Sequence, residues 1–467
     1  MSETESGRKF KVLFCGEEFH SGFVYTREAV SQSSLATNMP IETVSCPRSE
    51  VLTNIADADV IVPLMTKIGE SEIERAQSLK MIMQFGVGLE GVDIDTATSK
   101  GIWVCNIGSE GTGNAQSCAE QAILLALSLL RNVEMMKQSL QRGLLGHPIG
   151  KTLYRSTAIV YGFGGIGKQL VQRLLAFDMN IVIIKRYSSD AAPVPASDPV
   201  LLHTSVILLT PEQLHVHPII KQANLLFVCC SQNSQSMGFV NKDLLSHFTP
   251  GIMIVNVARG GLLNYVDVCD ALHTEHVGGL GLDVFLEEPF PILHRSNDHM
   301  HQYLHLPVDS TLPVQQQQTQ PKLDDKVTSM DDSVSVSAER LSPHPPTGTT
   351  SAGADSSSSG SGSSTGSGST SSGTGSNETA GQIYDDDTSQ AKAWNDAYRY
   401  RSNPAEAARY LLQHPRVVCT PHVAGVTEVS YRSMAQSVAD NVLRVAQGLP
   451  PVGYVNTPHT ARVSASR

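Results

Sequence analysis

The sequence predicts an α/β fold with two parallel sheets and one long disordered insertion. Short apolar segments of strand length alternate with helical segments from residue 11 to residue 106, and the alternation returns from residue 157 to residue 257. Parallel strands that are covered on both faces give such short, continuous apolar runs. A polar stretch from Gln302 to Gln390 interrupts the second series. The 467 residues are therefore expected to form two α/β domains, the second of them interrupted.

The first series predicts a domain over residues 1–110. Its predicted strands are Lys11–Cys15, Ile41–Ser45, Asp59–Leu64, Met81–Phe85 and Ile102–Asn106. The segment Ser71–Leu79 has helical character. The fourth strand ends at the turn Gly86-Val87-Gly88, and Val92 to Lys100 then lead to the next strand, a segment that we expect to be too short for a crossover helix.

A single long helix, Asn114–Gln141, is predicted to connect the two domains. Asn114 can cap its N-terminus, and an apolar stripe runs along it from Ala119 to Met135.

The stretch Ser156–Arg186 reads as strand, glycine turn, helix and strand, which is the order of a Rossmann dinucleotide-binding unit. The turn is Gly162-Phe163-Gly164-Gly165-Ile166-Gly167, and a helical apolar pattern follows it. Its glycines permit the tight bend, the approach of a pyrophosphate and the packing of the helix on the strand. The N–H groups at the helix start then face the phosphate, so Gly164, Gly165, Ile166 and Gly167 are candidate cofactor ligands. The second match to this pattern, Gly86 to Gly91, lacks the helix and is not favoured as a nucleotide site.

Further strands and helices complete the prediction. The strands are Leu225–Cys229, Ile252–Val257, Gly281–Phe285 and Val417–Thr420, and the helices are Ala405–Leu412 and Ser430–Gln447. The proline-containing segment Ala191–Pro211 is expected to be a long loop.

The stretch Gln302–Gln390 is predicted to be disordered because its composition cannot bury enough apolar surface to offset the entropy of ordering. It contains a glutamine run and a segment of almost pure Ser, Gly and Thr, and it carries eleven acidic and three basic residues of a chain whose net charge is −11. A passive insertion is the favoured interpretation, with a regulatory tether or a phosphorylation platform as the alternative. We expect the protein to fold and act without it.

Composition argues against several other classes of protein. The remainder of the chain is nearly neutral, so no basic groove for nucleic acid is indicated. The eight cysteines form no C-x-x-C pair, which favours buried free thiols, and no metal site is visible. The N-terminus is not typical of a signal or transit peptide, and the most apolar stretch, Ala122–Leu130, is too short to span a bilayer. A cytoplasmic location is expected.

Chemically suited residues stand at the predicted strand ends, where open parallel sheets bind ligands. Arg259 follows the strand Ile252–Val257, and His422 follows the last predicted strand. Asp283 lies within the strand Gly281–Phe285, and Glu288 follows that same strand. An arginine, a carboxylate and a histidine at one sheet edge suit the reduction of a 2-keto acid. Arg259 can hold the substrate carboxylate, His422 can pass a proton, and Glu288 can orient the imidazole and favour its charged form.

These motifs, in this order, resemble those of the D-isomer-specific 2-hydroxyacid dehydrogenases, the superfamily of D-3-phosphoglycerate dehydrogenase, hydroxypyruvate and glycerate reductases and D-lactate dehydrogenase. The resemblance runs from about Val12 to Asn456 without the insertion. Its matching segments are Gly86-Val87-Gly88 with Asp93, Asn114–Glu120, Gly162–Gly167, Asn256–Gly260, Asp283-Val284-Phe285 with Glu288-Pro289, and Thr420-Pro421-His422 with Gly425.

The resemblance implies roles for individual residues. Arg259, Glu288 and His422 are implied to be catalytic, and the backbone of Val87 and Gly88, with Arg259, is implied to bind the substrate carboxylate. Asp283 is implied to meet the nicotinamide. The loop residues Val257, Ala258 and Ser231 join the expected cofactor contacts, although Cys229 to Asn233 departs from the family's His-x-Pro-Leu-Thr segment.

The resemblance also implies the domain organisation. Residues 1–110 and 430–467 are expected to form a discontinuous flavodoxin-like α/β substrate domain, and residues 111–429 the NAD(P)-binding Rossmann domain with the insertion inside it. The active site is then expected in the cleft between them, and a homodimer is implied.

The position eighteen residues past Gly167 favours NADP over NAD as the cofactor. Family members that bind NAD carry an acidic residue there, whereas this chain has Lys185 followed by Arg186. A basic pair can bind a 2′-phosphate. The leading hypothesis is therefore an NADP(H)-preferring 2-keto acid reductase. A nucleotide-sensing corepressor-like protein of the same fold is the alternative, and a formate dehydrogenase is less favoured because that branch has glutamine at the position of Glu288.

Overall fold

The computed structural model describes residues 8–33, 40–108, 110–186, 198–286, 288 and 404–458. The predicted disordered insertion lies outside these residues. The strands are β1 Phe10–Cys15, β2 Ile41–Cys46, β3 Val60–Val62, β4 Met81–Met83, β5 Trp103–Cys105, β6 Thr157–Tyr161, β7 Asn180–Ile184, β8 Val206–Leu209, β9 Ala223–Val228, β10 Ile252–Asn256, β11 Val277–Leu282 and β12 Val417–Cys419. The helices are α1 His20–Gln32, α2 Val51–Asn54, α3 Glu70–Arg75, α4 Ile94–Ser99, α5 Asn114–Arg131, α6 Val133–Gln141, α7 Gly165–Leu175, α8 Pro211–Leu214, α9 Lys242–Ser246, α10 Tyr265–His273, α11 Pro404–Gln413 and α12 Glu428–Ala446.

The strands form two sheets, and every strand pair in them is parallel. The first sheet has the order β2-β1-β3-β4-β5, and the second has the order β12-β11-β10-β9-β6-β7-β8. The predicted α/β fold class is confirmed. Apolar clusters lie on both faces of each sheet, which is why the strands read as continuous apolar runs.

The C-terminal helix α12 belongs to the core of the first sheet. Its residues Met434, Val438 and Val442 are buried with Phe14 and Met83 from that sheet. The Thr427 side chain caps the helix by accepting a hydrogen bond from the N–H group of Ser430 at 3.3 Å. The packing agrees with a discontinuous first domain, whose boundaries at residues 110 and 430 stay a prediction.

Two predictions about helices were wrong. The connector is not one helix, because Asn132 adopts a left-handed conformation (φ 51°, ψ 55°) that ends α5 and precedes α6. Asparagine tolerates this conformation better than most residues. The segment between β4 and β5 does contain a crossover helix, the six-residue α4, whose N-terminus the Asp93 carboxylate caps by accepting from the N–H group of Thr96 at 3.0 Å. A helix this short suffices because β4 and β5 have only three residues each.

Two predictions about strands were also wrong. The segment Ala191–Pro211 is not a loop throughout, because β8 lies within it and pairs with β7. The strand β11 begins and ends earlier than predicted, so Asp283 follows the strand instead of lying inside it. Glycines hid this strand in the sequence: a Cβ at Gly281 would lie 3.0 Å from the Leu125 side chain of α5, and one at Gly279 would lie 3.2 Å from Leu129. The close packing of α5 explains the glycines.

Among the described residues, no helix combines the length and the apolar character that crossing a membrane requires. All eight cysteines are free thiols, and five of them are buried.

Candidate active site

The carboxyl edge of the second sheet carries the three predicted catalytic residues on neighbouring strands. Arg259 follows β10, Glu288 follows β11 and His422 follows β12. These strands lie side by side in the sheet. Parallel strands end at one edge, so topology brings together residues that are up to 163 positions apart in the sequence.

His422 and Glu288 are in direct contact. The imidazole Nδ1 lies 2.6 Å from Glu288 Oε2, and Glu288 Oε1 accepts a hydrogen bond from the N–H group of Phe285 at 2.8 Å. The glutamate side chain is 11% exposed and the histidine side chain 28%. Because Nδ1 is engaged with the carboxylate, Nε2 is the ring nitrogen that can exchange a proton with a ligand. The carboxylate thereby fixes the orientation of the ring.

The backbone at His422 is left-handed (φ 54°), a conformation that is unfavourable for a residue with a side chain. Asp283, which is fully buried, stabilises it. Its carboxylate accepts hydrogen bonds from the Thr420 hydroxyl at 2.6 Å and from the N–H groups of Val423 at 2.9 Å and Ala424 at 2.8 Å. The N–H group of His422 itself donates to the Asp283 carbonyl oxygen at 2.8 Å. Asp283 therefore holds the loop that carries His422, and its implied contact with nicotinamide stays a prediction.

Arg259 lies between the two sheets and is already paired. Its Nη1 donates to the Ala258 carbonyl oxygen at 2.8 Å, and its Nε lies 3.2 Å from Oε1 of Glu90, a residue of the turn after β4. Asn256, at the end of β10, shapes this loop: its side-chain amide donates to the Arg259 carbonyl oxygen at 2.9 Å, and its Oδ1 accepts from the N–H group of Ala258 at 3.0 Å. The arginine is 35% exposed and Glu90 45%, so the pair is accessible to solvent.

The predicted substrate loop meets this arginine. A Cβ at Gly88 would overlap Arg259 Nη2 and Glu90 Oε2, so the guanidinium lies over the loop backbone in the space that the glycine leaves. Val87 is half-exposed, and its carbonyl oxygen accepts from the Asn106 side chain at 2.7 Å. From the same sheet, Phe19 places its ring edge-on to His422 with centroids 5.8 Å apart. Loops of the first sheet thus contact both Arg259 and His422.

The predicted cofactor turn has the geometry that its glycines imply. Gly162 has φ 110°, and a Cβ there would lie 2.6 Å from the backbone nitrogen of Cys230. A Cβ at Gly167 would overlap the Gly162 carbonyl oxygen, whereas one at Gly164 would meet only open space. The backbone is therefore bare at Gly164, directly before the N-terminus of α7. The first-turn N–H groups of a helix have no acceptor within the helix, so Gly165, Ile166 and Gly167 fit a dinucleotide phosphate.

The far end of this unit places the basic pair beside the turn. Arg186 is exposed, and its Nη1 donates to Gln235 Oε1 at 2.7 Å, across the loop that follows β9. The N–H group of Lys185 donates to the Leu209 carbonyl oxygen at 3.0 Å, and the residue is partly buried. Within the loop, the Ser231 carbonyl oxygen accepts from the Ser236 hydroxyl at 2.9 Å, and Asn233 Oδ1 accepts from the N–H group of Gln235 at 3.0 Å.

Val257 and Ala258, the remaining predicted cofactor contacts, are buried, and each belongs to a different one of the two apolar clusters of the second sheet. Only their backbone atoms are suited to polar contact. A Cβ on the following Gly260 would overlap the Phe285 backbone, so the Arg259 loop packs against the segment that leads to Glu288.

The thiols near this edge are not suited to nucleophilic chemistry. Burial raises the pKa of Cys118 to about 12, with a smaller contribution from the charge of Asp283, and burial raises the pKa of Cys419 to about 12. Both thiols are therefore protonated at neutral pH. The chemistry of the edge rests on the imidazole, the carboxylate and the guanidinium.

Several residues of the site carried no sequence signal of their own. Glu90 and Phe19 are a loop glutamate and a loop phenylalanine, and Gln121 of α5 donates a 3.0 Å hydrogen bond to the Thr420 hydroxyl, which links α5 to the His422 loop. Asn256 and Thr420 did carry a signal, because they open the segments Asn256–Gly260 and Thr420-Pro421-His422 that resemble family motifs.

Comparison with known proteins finds one family that part of the chain resembles. The protein-family model described as "D-isomer specific 2-hydroxyacid dehydrogenase, NAD binding domain" matches residues 123–306. The D-3-phosphoglycerate dehydrogenase of Mycobacterium leprae is 29% identical over 273 residues, which are 57% of this chain and 49% of the relative. The glyoxylate reductase of Pyrococcus furiosus is 26% identical over 254 residues, 52% of this chain and 71% of the relative. Over the matched residues the chain is similar to the D-isomer specific 2-hydroxyacid dehydrogenases.

Solved structures of the family share the fold. A glyoxylate reductase from Paecilomyes thermophila gives a TM-score of 0.58 at 17% identity, with 96% of this chain and 99% of that chain covered. The NADPH-dependent glyoxylate/hydroxypyruvate reductase of Sinorhizobium meliloti, a complex with NADP and malonate, gives a TM-score of 0.57 at 18% identity, with 98% and 100% covered. The chain spans about half the length of the phosphoglycerate dehydrogenase relatives.

Proposed function

We propose that this protein is an NAD(P)-dependent D-2-hydroxyacid dehydrogenase, an oxidoreductase that interconverts a 2-keto acid and a D-2-hydroxy acid. The observation that carries the proposal is the 2.6 Å contact between His422 and Glu288 at the sheet edge that also bears Arg259. An oriented imidazole beside an arginine suits proton transfer to a carbonyl whose neighbouring carboxylate is held in place.

Arg259 and the backbone of Val87 and Gly88 bind the substrate carboxylate in this proposal. The guanidinium can offer two parallel N–H donors to a carboxylate. Its present partner, Glu90, carries the same functional group as the substrate, at 3.2 Å from Nε. Substrate binding then requires the carboxylate of the keto acid to compete with Glu90 for the guanidinium.

His422 is the general acid in the direction of reduction. When bound, the reduced nicotinamide dinucleotide supplies a hydride to the carbonyl carbon. The C=O π electrons then reside on oxygen, and His422 Nε2 gives that oxygen its proton, so that the hydroxy acid forms and the imidazole is left neutral. Glu288, which is hydrogen-bonded to Nδ1, keeps Nε2 directed at the carbonyl oxygen of the substrate. In the oxidation direction the neutral imidazole takes the proton back.

The dinucleotide is proposed to bind Gly164, Gly165, Ile166 and Gly167 through its pyrophosphate, and Ser231, Val257, Ala258 and Asp283 toward its other end. Lys185 and Arg186 favour NADP as the cofactor, with NAD as the alternative. The exposed guanidinium of Arg186 beside the turn supports this preference. The Sinorhizobium meliloti reductase of the same fold binds NADP.

A cytoplasmic homodimer with a substrate domain over residues 1–110 and 430–467 completes the proposal. Its support is an exposed apolar surface on α5, α6 and the segment after them, where Leu140, Leu145 and Ile149 are each at least 79% exposed. Monomeric proteins seldom expose contiguous apolar patches of large area. Sedimentation equilibrium tests the state: a dimer is expected, and a monomer at micromolar concentration would contradict it.

The deciding experiment follows the absorbance of the reduced cofactor in the presence of the purified 467-residue chain. NADPH or NADH is offered with glyoxylate, hydroxypyruvate, pyruvate and phosphohydroxypyruvate. Turnover is expected with at least one keto acid. His422→Ala should lower kcat by about 10²- to 10⁴-fold, as expected for loss of a general acid. Arg259→Ala should raise KM by about 10- to 150-fold, from the 1.5–3 kcal/mol of a charged hydrogen bond.

Matched controls are available on the surface. His203→Ala and Arg409→Ala change exposed residues that have no role in the proposal, and they should leave both constants unchanged. Turnover that survives both active-site substitutions would refute the mechanism. Cofactor binding without turnover of any keto acid would favour a nucleotide-sensing protein.

A further inference from the structure

Two histidines and an aspartate to which the proposed function gives no role come together on the surface of the second domain. His215 directly follows α8, Asp243 lies in the first turn of α9, and His247 directly follows α9. One ligand atom from each residue, a ring nitrogen or a carboxylate oxygen, lies within 4.8 Å of the other two. The two imidazole rings are 4.8 Å apart between centroids and are inclined at 67°.

Each of these residues is held by a buried neighbour. His215 follows a residue that is 1% exposed, Asp243 precedes one that is 4% exposed, and His247 precedes one that is 2% exposed. These neighbours belong to a single apolar cluster under the second sheet: Leu214, Leu244 and Phe248. The backbone positions of the three polar residues are therefore fixed by the core, although two of the side chains are exposed.

Hydrogen bonds fix the two short helices as well. A capping box between Thr210 and Gln213 begins α8. At α9, the Asn241 side chain accepts from the N–H group of Leu244 at 3.0 Å, and the N–H group of Lys242 donates to Asp267 Oδ2 at 2.9 Å. Asp243 and His247 stand four residues apart, a spacing that puts two side chains on one face of a helical turn.

The donor set is that of a transition-metal site. Two neutral imidazoles and one carboxylate suit zinc, cobalt or nickel, whereas calcium and magnesium prefer oxygen ligands alone.

Only small side-chain movements are needed for the three residues to coordinate a zinc ion. Zinc bonds of 2.0–2.1 Å in tetrahedral arrangement separate ligand atoms by about 3.3 Å. The atoms, now at most 4.8 Å apart, must therefore approach by about 1.5 Å or less. His215 and Asp243 are exposed and can move by rotation about their side-chain bonds, whereas His247 is partly buried and supplies a fixed point.

We propose that His215, Asp243 and His247 form a binding site for a divalent transition-metal ion, with zinc as the ion that the donor set fits best. Three protein ligands leave one position of a tetrahedral zinc for water. The ion joins α8, which leads to β9, to α9, which leads to β10, and so ties together two surface elements of the cofactor domain. Its stabilising effect is expected because the native state alone presents all three ligands together.

The proposal is tested by zinc titration of the 467-residue chain. The protein is first treated with a chelator and dialysed. Four histidines at residues 294–305 lie outside the described part of the chain and can add background binding, so the comparison is with variants. The double variant His215→Ala/His247→Ala should bind one zinc equivalent fewer than the wild type. Asp243→Asn should weaken binding at the same site by at least about tenfold, because a neutral amide is a poorer ligand.

Two further measurements keep the result independent of folding defects. Zinc should raise the Tm of the wild type and of the control His203→Ala, but not that of the double variant, whose circular dichroism without zinc should match the wild type. Added cobalt chloride should give a visible absorption band in the wild type that is absent from the double variant. Equal zinc stoichiometry and affinity in the wild type and the double variant would overturn the proposal.

Discussion

Asp283→Asn is the substitution that most directly tests how the fold positions the proposed catalytic histidine. The carboxylate is fully buried and accepts three hydrogen bonds from the segment that carries His422. The N–H group of Val423 and the hydroxyl of Thr420 donate to Oδ1, and the N–H group of Ala424 donates to Oδ2. An asparagine has the same shape but offers only one acceptor oxygen.

The expected loss of stability follows from the number of hydrogen bonds that the Asp283 carboxylate accepts. In the better of its two orientations, the amide keeps the donors at Oδ1 and turns its own NH₂ group toward the N–H group of Ala424. One buried backbone donor then lacks an acceptor, and the other bonds lose their charge. Hydrogen bonds to charged groups contribute about 1.5–3 kcal/mol each. We therefore expect the free energy of unfolding to fall by about 2–4 kcal/mol, a large part of the 5–15 kcal/mol that is usual for a folded protein.

Urea unfolding, kcat and the dissociation constant of the cofactor are the three measurements. Asp283→Asn should lower stability and kcat. Thr420→Val removes one of the three donors without changing Asp283, so it should cost about 1–3 kcal/mol and lower kcat while the cofactor binds as in the wild type. The control Asp95→Asn changes an exposed aspartate and should cost no more than about 1 kcal/mol. A free energy of unfolding for Asp283→Asn within about 0.5 kcal/mol of the wild type, the usual error of such comparisons, would refute the reasoning.

The outcome also separates two roles of the same aspartate. If Thr420→Val weakens cofactor binding and leaves kcat unchanged, Asp283 acts through the nicotinamide end of the cofactor and not through the His422 loop.

Three further predictions concern charge. Glu90→Gln should lower the KM for the keto acid by about 1.5- to 5-fold with kcat unchanged, because it removes the exposed partner of Arg259, and such pairs contribute about 0.2–1 kcal/mol. His414→Asn should flatten the loss of stability in acid: burial lowers the pKa of His414 from 6.5 to about 4, so its contribution of up to about 3 kcal/mol is present above pH 6.5 and is lost as the pH falls to 4. Lys185→Asp should shift the ratio of kcat/KM values from NADPH toward NADH.

Each of these has a clear contrary result. A higher KM for Glu90→Gln would mean that the glutamate helps to bind substrate instead of competing with it. Urea midpoints of His414→Asn that follow the wild type from pH 6.5 to 4 would show that another group governs acid unfolding. An unchanged cofactor ratio for Lys185→Asp would remove the basis for the NADP preference.

Local features of the chain were enough to predict the fold class. The strands β6 and β7 are continuous apolar runs because both faces of the sheet are covered. The glycine turn between them was readable because its constraints are local: Gly162 needs a left-handed φ, and Gly167 must lie against the Gly162 carbonyl oxygen. Arg259, Glu288 and His422 were identified because each follows a strand, and parallel topology brings such positions to one edge.

The errors arose where distant packing decides local structure. The strand β11 was misplaced because its glycines, which disfavour strands, are required by the side chains of α5. The break at Asn132 has no strong sequence signal, since asparagine also occurs inside helices.

The sequence by itself therefore determined the fold class, the glycine turn and the chemical identity of the proposed catalytic residues. Only the tertiary structure decided what those residues touch: Glu90 on Arg259, Phe19 on His422, and Asp283 on the His422 loop. It also brought His215 to Asp243 and His247, which lie 28 and 32 residues later in the sequence. The physical reason is that side-chain contacts between loops depend on the packing of whole sheets, which periodicity and local propensity do not encode.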